Sequence, residues 1–277
     1  MIPVTIMING LPGNVSKVIA AAAIDDPRFT VLPYSLTGPE IDINHCHIGT
    51  ESIELLRPGH REAAMTAIKA DHGRFICVDF THPSAVNSNA AFYCQQDLPF
   101  VMGTTGGDRQ LLEQTVADST TVAVIAPNMA KQIVGFQAMM AHAAEHFPDL
   151  FKGYRLTVRE SHQAGKADTS GTAKAMVGYF NQMGVDFSVD RIEKERDPER
   201  QQNMWGVPAN VLKGHGWHTY TLISPDDSVK FEFVHNINGR RIYCEGTMDA
   251  VLFLSRQMAA NIQGKVFSMI DVLKNNP

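Results

Sequence analysis

Cysteine is scarce in this chain, four in 277 residues. Cys46, Cys77, Cys94 and Cys244 are widely spaced, form no C-x-x-C pair and sit mostly in apolar runs. That pattern argues against a disulfide scaffold and a thiolate metal centre, and points to buried free thiols of a reducing compartment. Positive charge is also short. The formal net charge is −5 and no run of Lys and Arg accumulates, which argues against a nucleic-acid surface. An anionic ligand would have to be drawn by local cations. No apolar run reaches membrane-spanning length. The chain opens directly into Val4-Thr5-Ile6-Met7-Ile8, without a basic flank or a small-residue cleavage site. The expectation is a cytoplasmic protein, or a mature organellar one whose transit peptide has been removed. Repeats, low-complexity tracts and long linkers are absent too, so two domains are expected to share a close interface.

What is present in the first half is alternation. Pro3 to Asn9 reads as a strand, Gly10-Leu11-Pro12-Gly13-Asn14-Val15-Ser16 as a glycine turn and Lys17 to Ile24 as a helix. This is a dinucleotide-binding opening with G-x-x-G spacing, in which Ser16 stands where a third glycine would ease packing. A ligand-free turn would read the same way. Phe29 to Ser35 reads as the second strand. No Asp or Glu stands at its end to bind a ribose diol, and neutral Ser35 and Thr37 tilt the cofactor toward NADPH, with NADH possible. Ile48–Leu56 and Phe75–Phe80 read as further strands, then Leu98–Met102 and Thr121–Ala126, with helices between them. The fold class is α/β, a Rossmann-like doubly wound parallel sheet. Its ligands lie beyond the carboxyl ends of the strands. The expected cofactor-binding residues are therefore Gly10, Leu11, Pro12, Gly13, Asn14, Val15, Phe80, Thr81, Gly103, Thr104, Thr105, Ala126, Pro127, Asn128 and Met129.

The second half differs in flavour. Lys131–His146 reads as a helix, Phe187–Ile192 as a strand and Glu193–Gln202 as a mixed-charge run, a solvated loop or helix face. Trp217–Ile223 and Val229–His235 alternate strongly around a Pro225–Ser228 turn and form a hairpin. The expected second domain is α+β, with a mostly antiparallel sheet. The tail from Thr247 to Leu273 reads as helical, with an interruption near Gly264 left open.

Between the strand Tyr154–Val158 and the helix Ala173–Met183 lies the richest chemistry, from Arg159 to Lys174. His162 can exchange a proton near neutral pH, and Lys166 can donate one or neutralise a carboxylate. Ser170, Gly171 and Thr172 fall at a helix start, where free amides and the dipole favour an anion. These are the parts for adding a proton to a small dicarboxylate. Taken singly, each has a structural reading as an ordinary cap, a satisfied histidine or a solvated lysine.

Taken together, the Gly10/Gly13 turn, Asp79-Phe80-Thr81, Gly103-Thr104-Thr105-Gly106, Ala126-Pro127-Asn128, Glu160-Ser161-His162, Lys166 and Ser170-Gly171-Thr172 resemble dihydrodipicolinate reductase. The plant-type branch is the more similar, with Glu-Ser-His-Gln and Asp-Thr-Ser-Gly-Thr in place of the common bacterial patterns. The resemblance implies NAD(P)H-dependent reduction of a cyclic imine dicarboxylate on the diaminopimelate route to lysine. It implies His162 as general acid/base and Lys166 as a second proton donor. Gly171 and Thr172, with Ser170 and Gln163, would form the substrate site, Gln163 replacing a second histidine. It further implies tail helices, about residues 246–277, that return to a nucleotide domain spanning 1–130. The substrate domain would then span 131–245, in a homo-oligomer, dimer or tetramer, of the cytoplasm or plastid stroma. No metal is implied. Arg240 is a candidate for one more anion contact. Two rivals stay open: another two-domain NAD(P)-dependent amino-acid or sugar dehydrogenase, and a non-catalytic NADPH-sensing regulator.

Overall fold

A computed structural model describes residues 2–166 and 168–275. The chain divides into two compact units, one formed by Met1–Val134 with Arg241–Pro277 and the other by Gly135–Arg240. The expected tail segment runs to residue 277, of which Asn276 and Pro277 lie outside the described residues.

The first unit begins with β1 (Val4–Asn9), α1 (Asn14–Ile24), β2 (Phe29–Val31), β3 (Tyr34–Leu36), β4 (His45–Ile48) and β5 (Glu51–Leu56). It continues through α2 (Arg61–His72), β6 (Ile76–Asp79), α3 (Val86–Gln95), β7 (Phe100–Met102), α4 (Arg109–Ala117) and β8 (Val122–Ile125). Then α5 (Lys131–His146) leads into the second unit, which holds β9 (Arg155–His162), α6 (Gly171–Gln182), β10 (Glu193–Glu195), α7 (Pro198–Trp205), β11 (His215–Ile223) and β12 (Lys230–Asn238). The chain returns to the first unit with α8 (Ile242–Ala259), β13 (Lys265–Phe267) and α9 (Met269–Lys274).

The main sheet of the first unit runs β13-β8-β7-β6-β1-β2, and its strand pairs are parallel. Parallel strands need crossovers that cover both faces, so the sequence of a central strand is apolar without alternation. β6 and β7 are buried throughout. Side chains pointing to opposite faces join separate cores. Ile6, Ile8, Val78 and Val124 pack with Ile19 of α1 and Val251 and Leu254 of α8. Met7, Cys77, Phe100 and Ala123 pack with Met65 of α2, Phe92 of α3 and Leu112 of α4. This is the doubly wound arrangement.

The strands differ from the sequence reading where proline and glycine intervene. Phe29–Ser35 is not one strand. Pro33 supplies no ladder N–H, and the chain leaves the main sheet there, so that β3 joins a three-stranded sheet of order β3-β5-β4. Ile48–Leu56 is likewise broken, because Gly49, at φ +58°, turns β4 back onto β5. Phe187–Ile192 forms a 3₁₀ turn at Val189–Arg191 in place of a strand. The charged run Glu193–Gln202 agrees with its helix-face reading from Pro198 on, where α7 begins, and departs from it in forming β10. The helical tail is interrupted around Gly264, as read, and the interruption is followed by β13, paired in parallel with β8.

The sheet of the second unit has the order β10-β9-β11-β12. Only β10–β9 is parallel; β9–β11 and β11–β12 are antiparallel. Leu156 and Val158 of β9 and Tyr220 and Leu222 of β11 share a core with Met176, Val177 and Phe180 of α6. Among the described residues, no helix is long and apolar enough to cross a membrane.

Candidate active site

The period of a strand builds this site. Along β9 the residues Leu156, Val158, Glu160 and His162 share one face. The first two belong to the core, and the same face continues into two ionisable groups. In the antiparallel register Leu156 faces Leu222, Val158 faces Tyr220, Glu160 faces His218 and His162 faces Gly216. On the next strand His218 faces His235. Glu160, His218 and His235 thus form a row across three strands, with His162 one step beyond. His218 and His235 stack at 4.5 Å between ring centroids. His162 Nε2 lies 3.2 Å from His218 Nε2. His162 is the last residue of β9, so the strand is longer than the alternation Tyr154–Val158 suggested.

Glu160 is fully buried, and its charge is met from two sides. Oε2 accepts the Ser170 backbone N–H at 3.0 Å, and Oε1 accepts the Arg196 guanidinium in a short ion pair. Arg196 also donates Nε–H to the Lys166 carbonyl at 2.8 Å and Nη1–H to the Glu195 carbonyl at 2.9 Å. One guanidinium therefore holds β9, the end of β10 and the Lys166 loop together. Gln201, on α7, donates to the carbonyls of His162 at 2.7 Å and Glu195 at 3.1 Å. Sequence reasoning missed Arg196, Gln201, His218 and His235. The charge density around 193–202 hid the first two, whereas the hairpin's own alternation and turn contained the signal for His218 facing His235.

Lys166 Nζ donates to Asp168 Oδ1 at 2.9 Å. Gln163 closes the loop by accepting Lys166 N–H at 3.0 Å. Ser170 occupies the cap position of α6 without a side-chain cap bond, and Gly171 and Thr172 are the first helical residues. Their amides precede the first intrahelical bond and suit an anion. Arg240 lies over Gly214, with Nη1 3.3 Å from where a Cβ on Gly214 would stand.

Burial sets the protonation states here. His162 is held near pKa 4, first by burial and then by the positive charges of Arg196 and Lys166. Burial also lowers His218, well below the ordinary range, and brings His235 to about 4. These imidazoles are neutral at pH 7. Each of Glu160, His162 and His218 offers an atom within 4.8 Å of the others, a spacing that metal ligands can have. Here the carboxylate already serves a guanidinium and an amide, and the two imidazoles serve each other. A cation would have to displace all of these bonds beside two positive side chains, so the donor set does not suit a metal.

In the first unit the strand-end loops converge through glycine. Gly10 has φ +102°, and a Cβ there would stand 2.2 Å from the Phe80 carbonyl oxygen. A Cβ on Gly13 would stand 2.7 Å from the Gly10 carbonyl oxygen, and one on Gly103 2.2 Å from the Phe80 ring. Ser16, fully buried, donates to the Phe80 carbonyl at 3.2 Å, which is how a serine is accommodated at the third-glycine position. Asp79 organises the same edge. Its buried carboxylate accepts from the Thr104, Thr81 and Tyr93 hydroxyls at 2.6, 2.8 and 2.7 Å and from Asn89 at 3.0 Å.

Pro12, Gly13, Asn14, Val15, Phe80, Thr81, Thr105, Pro127 and Asn128 keep exposed or half-exposed surface. Leu11, Thr104, Ala126 and Met129 are buried. Ser35 and Thr37 are also buried, bonded to the Leu11 N–H and carbonyl. The acidic group near the end of this strand pair is Glu40, whose carboxylate folds over Gly38, within 2.3 Å of where a Cβ would be. The sequence reading stopped at Ser35 and Thr37 and overlooked it.

The family model described as "Dihydrodipicolinate reductase, N-terminus" matches residues 4–129, and the one described as "Dihydrodipicolinate reductase, C-terminus" matches residues 133–273. The chain is 45% identical over 269 residues to "Probable 4-hydroxy-tetrahydrodipicolinate reductase 1, chloroplastic" of Oryza sativa subsp. japonica, covering 97% of this chain and 78% of the relative. It is 45% identical over 271 residues to "4-hydroxy-tetrahydrodipicolinate reductase 1, chloroplastic" of Arabidopsis thaliana, covering 98% and 78%. Among solved structures, a dipicolinate-bound dihydrodipicolinate reductase from Paenisporosarcina sp. TG-14 matches with a TM-score of 0.66 at 17% identity. That match covers 96% of this chain and 98% of the other and shows a shared fold.

Proposed function

This chain belongs to the dihydrodipicolinate reductase family, and from that premise we propose the work of each part. The protein is an oxidoreductase that reduces 4-hydroxy-tetrahydrodipicolinate to tetrahydrodipicolinate, the hydroxyl leaving as water, in the biosynthesis of diaminopimelate and lysine. Its reductant is a nicotinamide dinucleotide, which supplies the hydride when bound. The first unit's loops fit such a group: the missing side chains of Gly10, Gly13 and Gly103 let the loops pack tightly on Phe80 and on one another, and the opening amides of α1 suit a pyrophosphate. Pro12, Asn14, Val15, Phe80, Thr81, Thr105, Pro127 and Asn128 would contribute surface. Buried Leu11, Thr104, Ala126 and Met129 would shape the loops from behind.

The second unit's residues bind the dicarboxylate and supply the proton. Gly171 and Thr172 take one carboxylate at the start of α6, with Ser170 and Gln163 beside them. Lys166 exchanges Asp168 for the substrate's charge, and His162 delivers a proton to the carbon next to the one reduced. A dianion near Arg196 and Lys166 offsets the charges that hold His162 neutral, so binding itself favours the acid form. The observation that carries this reading is the joining of His162, Lys166 and the opening of α6 through the single Glu160–Arg196 pair.

NADPH is the preferred reductant in this reading, with NADH accepted, because Ser35 and Thr37 put no carboxylate against a 2′-phosphate. Glu40, folded over Gly38, would oppose it. The protein works as a homo-oligomer, a reading supported by β12, an edge strand that carries apolar Val234 at 55% exposure. It resides in the cytoplasm or the plastid stroma, a location supported by four free thiols. The test is NADPH oxidation with freshly generated product of the dihydrodipicolinate synthase reaction. His162→Ala and Lys166→Ala should each lower kcat by roughly 100-fold while leaving NADPH affinity within about threefold. Near-native turnover in both variants overturns the assignment.

A further inference from the structure

The contact between His162 and His218 carries a consequence for which nitrogen of His162 handles the proton. Two neutral imidazoles facing each other Nε2 to Nε2 at 3.2 Å can share only one proton between those atoms. His218 decides which ring owns it. Its Nδ1 is buried and has no hydrogen-bond partner among the described residues. A proton placed there would be a buried donor without a protein partner, a rarer arrangement than an unshared acceptor. The proton of His218 therefore sits on Nε2 and is donated to His162 Nε2. His162, neutral as well, carries its own proton on Nδ1.

Resting on the proposed reductase function, we propose that His218 is a positioning residue for His162. It holds the resting ring turned inward in the Nδ1–H tautomer, and it releases that ring when Nε2 takes up from solvent the proton that goes to substrate. The release follows from the same atoms. Protonating His162 at Nε2 sets N–H against N–H at a distance that suits a hydrogen bond, and His218 can relieve the clash only by moving its proton to the partnerless Nδ1. Turning His162 outward costs less.

Two neighbours shape the inward state. Gly216 lies opposite His162, and a Cβ there would approach the His162 Cε1 to 3.0 Å and Nδ1 to 3.3 Å, so the glycine makes room for the ring. His235 stacks on the other side of His218 at 4.5 Å, an arrangement that keeps the two rings from being charged together, since two imidazolium ions would repel there. The remaining charged and titratable groups around the pair are Glu160, whose Oε2 is 3.8 Å from His218 Nε2, Arg196, Lys166, His215 and Tyr220. At 3.8 Å the carboxylate does not compete for the His218 proton in the resting protein.

The experiment is ¹⁵N NMR of the histidine side chains in the full-length protein, with His162 assigned by His162→Gln. The expected spectrum at neutral pH shows His162 protonated on Nδ1, with Nε2 bare and accepting. Gly216→Ala should crowd the inward ring, and His218→Phe should remove the donor while keeping a flat ring against His235. Both should convert His162 to a tautomer mixture and raise the pH at which it titrates. Both should also shift the acid limb of kcat/KM to higher pH and lower kcat by roughly tenfold, with KM for the dicarboxylate changed much less. His218→Gln, which can still donate, should recover most of the native profile. An Nε2–H tautomer for His162 in the native protein overturns the proposal, as does an unchanged His162 titration in a folded His218→Phe protein. Should His218→Phe not fold, the native spectrum and Gly216→Ala decide. The tautomer is read without turnover, so an inactive native protein would sink the reductase reading and leave this measurement standing.

Discussion

Replacing Arg196 with Met leaves the Glu160 carboxylate buried at 0% exposure with the Ser170 amide as its one close donor, because His218 Nε2 stands 3.8 Å away. Breaking a buried ion pair by removing one partner costs about 3–5 kcal/mol. Solvent offers little relief, since the Arg196 side chain is only 18% exposed. The bonds to the carbonyls of Lys166 and Glu195 are lost as well. We therefore expect about 4 kcal/mol of destabilisation, a large share of the roughly 5–15 kcal/mol that a domain has. The chain's two tryptophans, Trp205 and Trp217, both lie in the Gly135–Arg240 unit. Urea unfolding followed by their fluorescence therefore reports that unit. The control is Glu160→Met with Arg196→Met, which removes both charges at similar volume and should recover at least half of the loss. A loss below about 1 kcal/mol in the single variant, or a double variant as unstable as the single one, refutes the reasoning.

Three further outcomes are expected. His162 and His235 titrate near 4 in the fold and near 6.5 when unfolded, so the unfolded chain binds more protons between those values. Stability is then full above about pH 6.5 and falls as pH drops toward 4, by up to about 2 kcal/mol for each histidine at pH 5 before solvent screening. Tryptophan-detected urea midpoints that stay constant from about pH 7 to about pH 5 would contradict this. Gly10→Ala forces a Cβ to 2.2 Å from a backbone oxygen at φ +102° and should weaken dinucleotide binding by at least about tenfold, with a stability cost of about 1–3 kcal/mol. Calorimetric titration with NADPH measures the first, and an unchanged Kd rejects the loop's assigned role. Glu40→Gln should raise the ratio of kcat/KM for NADPH over NADH by roughly threefold to tenfold; no change in the ratio removes Glu40 from the ribose site.

How much of this was legible in the sequence depended on whether the signal was local. The parallel sheet was legible because buried strands between helices leave unbroken apolar runs such as Ile76-Cys77-Val78, each ending in a glycine or polar turn. The breaks were less so. Pro33 and Gly49 are visible in the sequence, yet whether a proline bends a strand or divides it between two sheets is settled by what lies alongside, here β5. β13 is three residues long, and its partner β8 lies more than a hundred residues earlier, so nothing nearby marks it. In the second unit His162, Lys166 and the opening of α6 could be read from one segment, since a strand end, a loop and a helix start are all encoded within it. Arg196 could not. Its ties to Glu160 and the Lys166 carbonyl span 36 and 30 residues, and in sequence it is one charge among many.

The histidine row shows why part of the site was within reach of sequence reasoning and remained unread. Apolar Leu156 and Val158 fix which face of β9 is inward, and a period of two then places Glu160 and His162 on that face. The turn at Pro225–Ser228 fixes the register of β11 with β12, which places His218 against His235. Both facts belong to the alternation that makes the core. A slip of one residue between β9 and β11 would carry His218 to the far face together with Tyr220 and Leu222. It would expose the core and strip His162 of its partner in a single step. The register that buries Tyr220 and Phe180 is therefore the register that sets the tautomer of His162. Substitutions that loosen the hairpin should show their effect in the ¹⁵N signature of His162 before they show it in overall secondary structure.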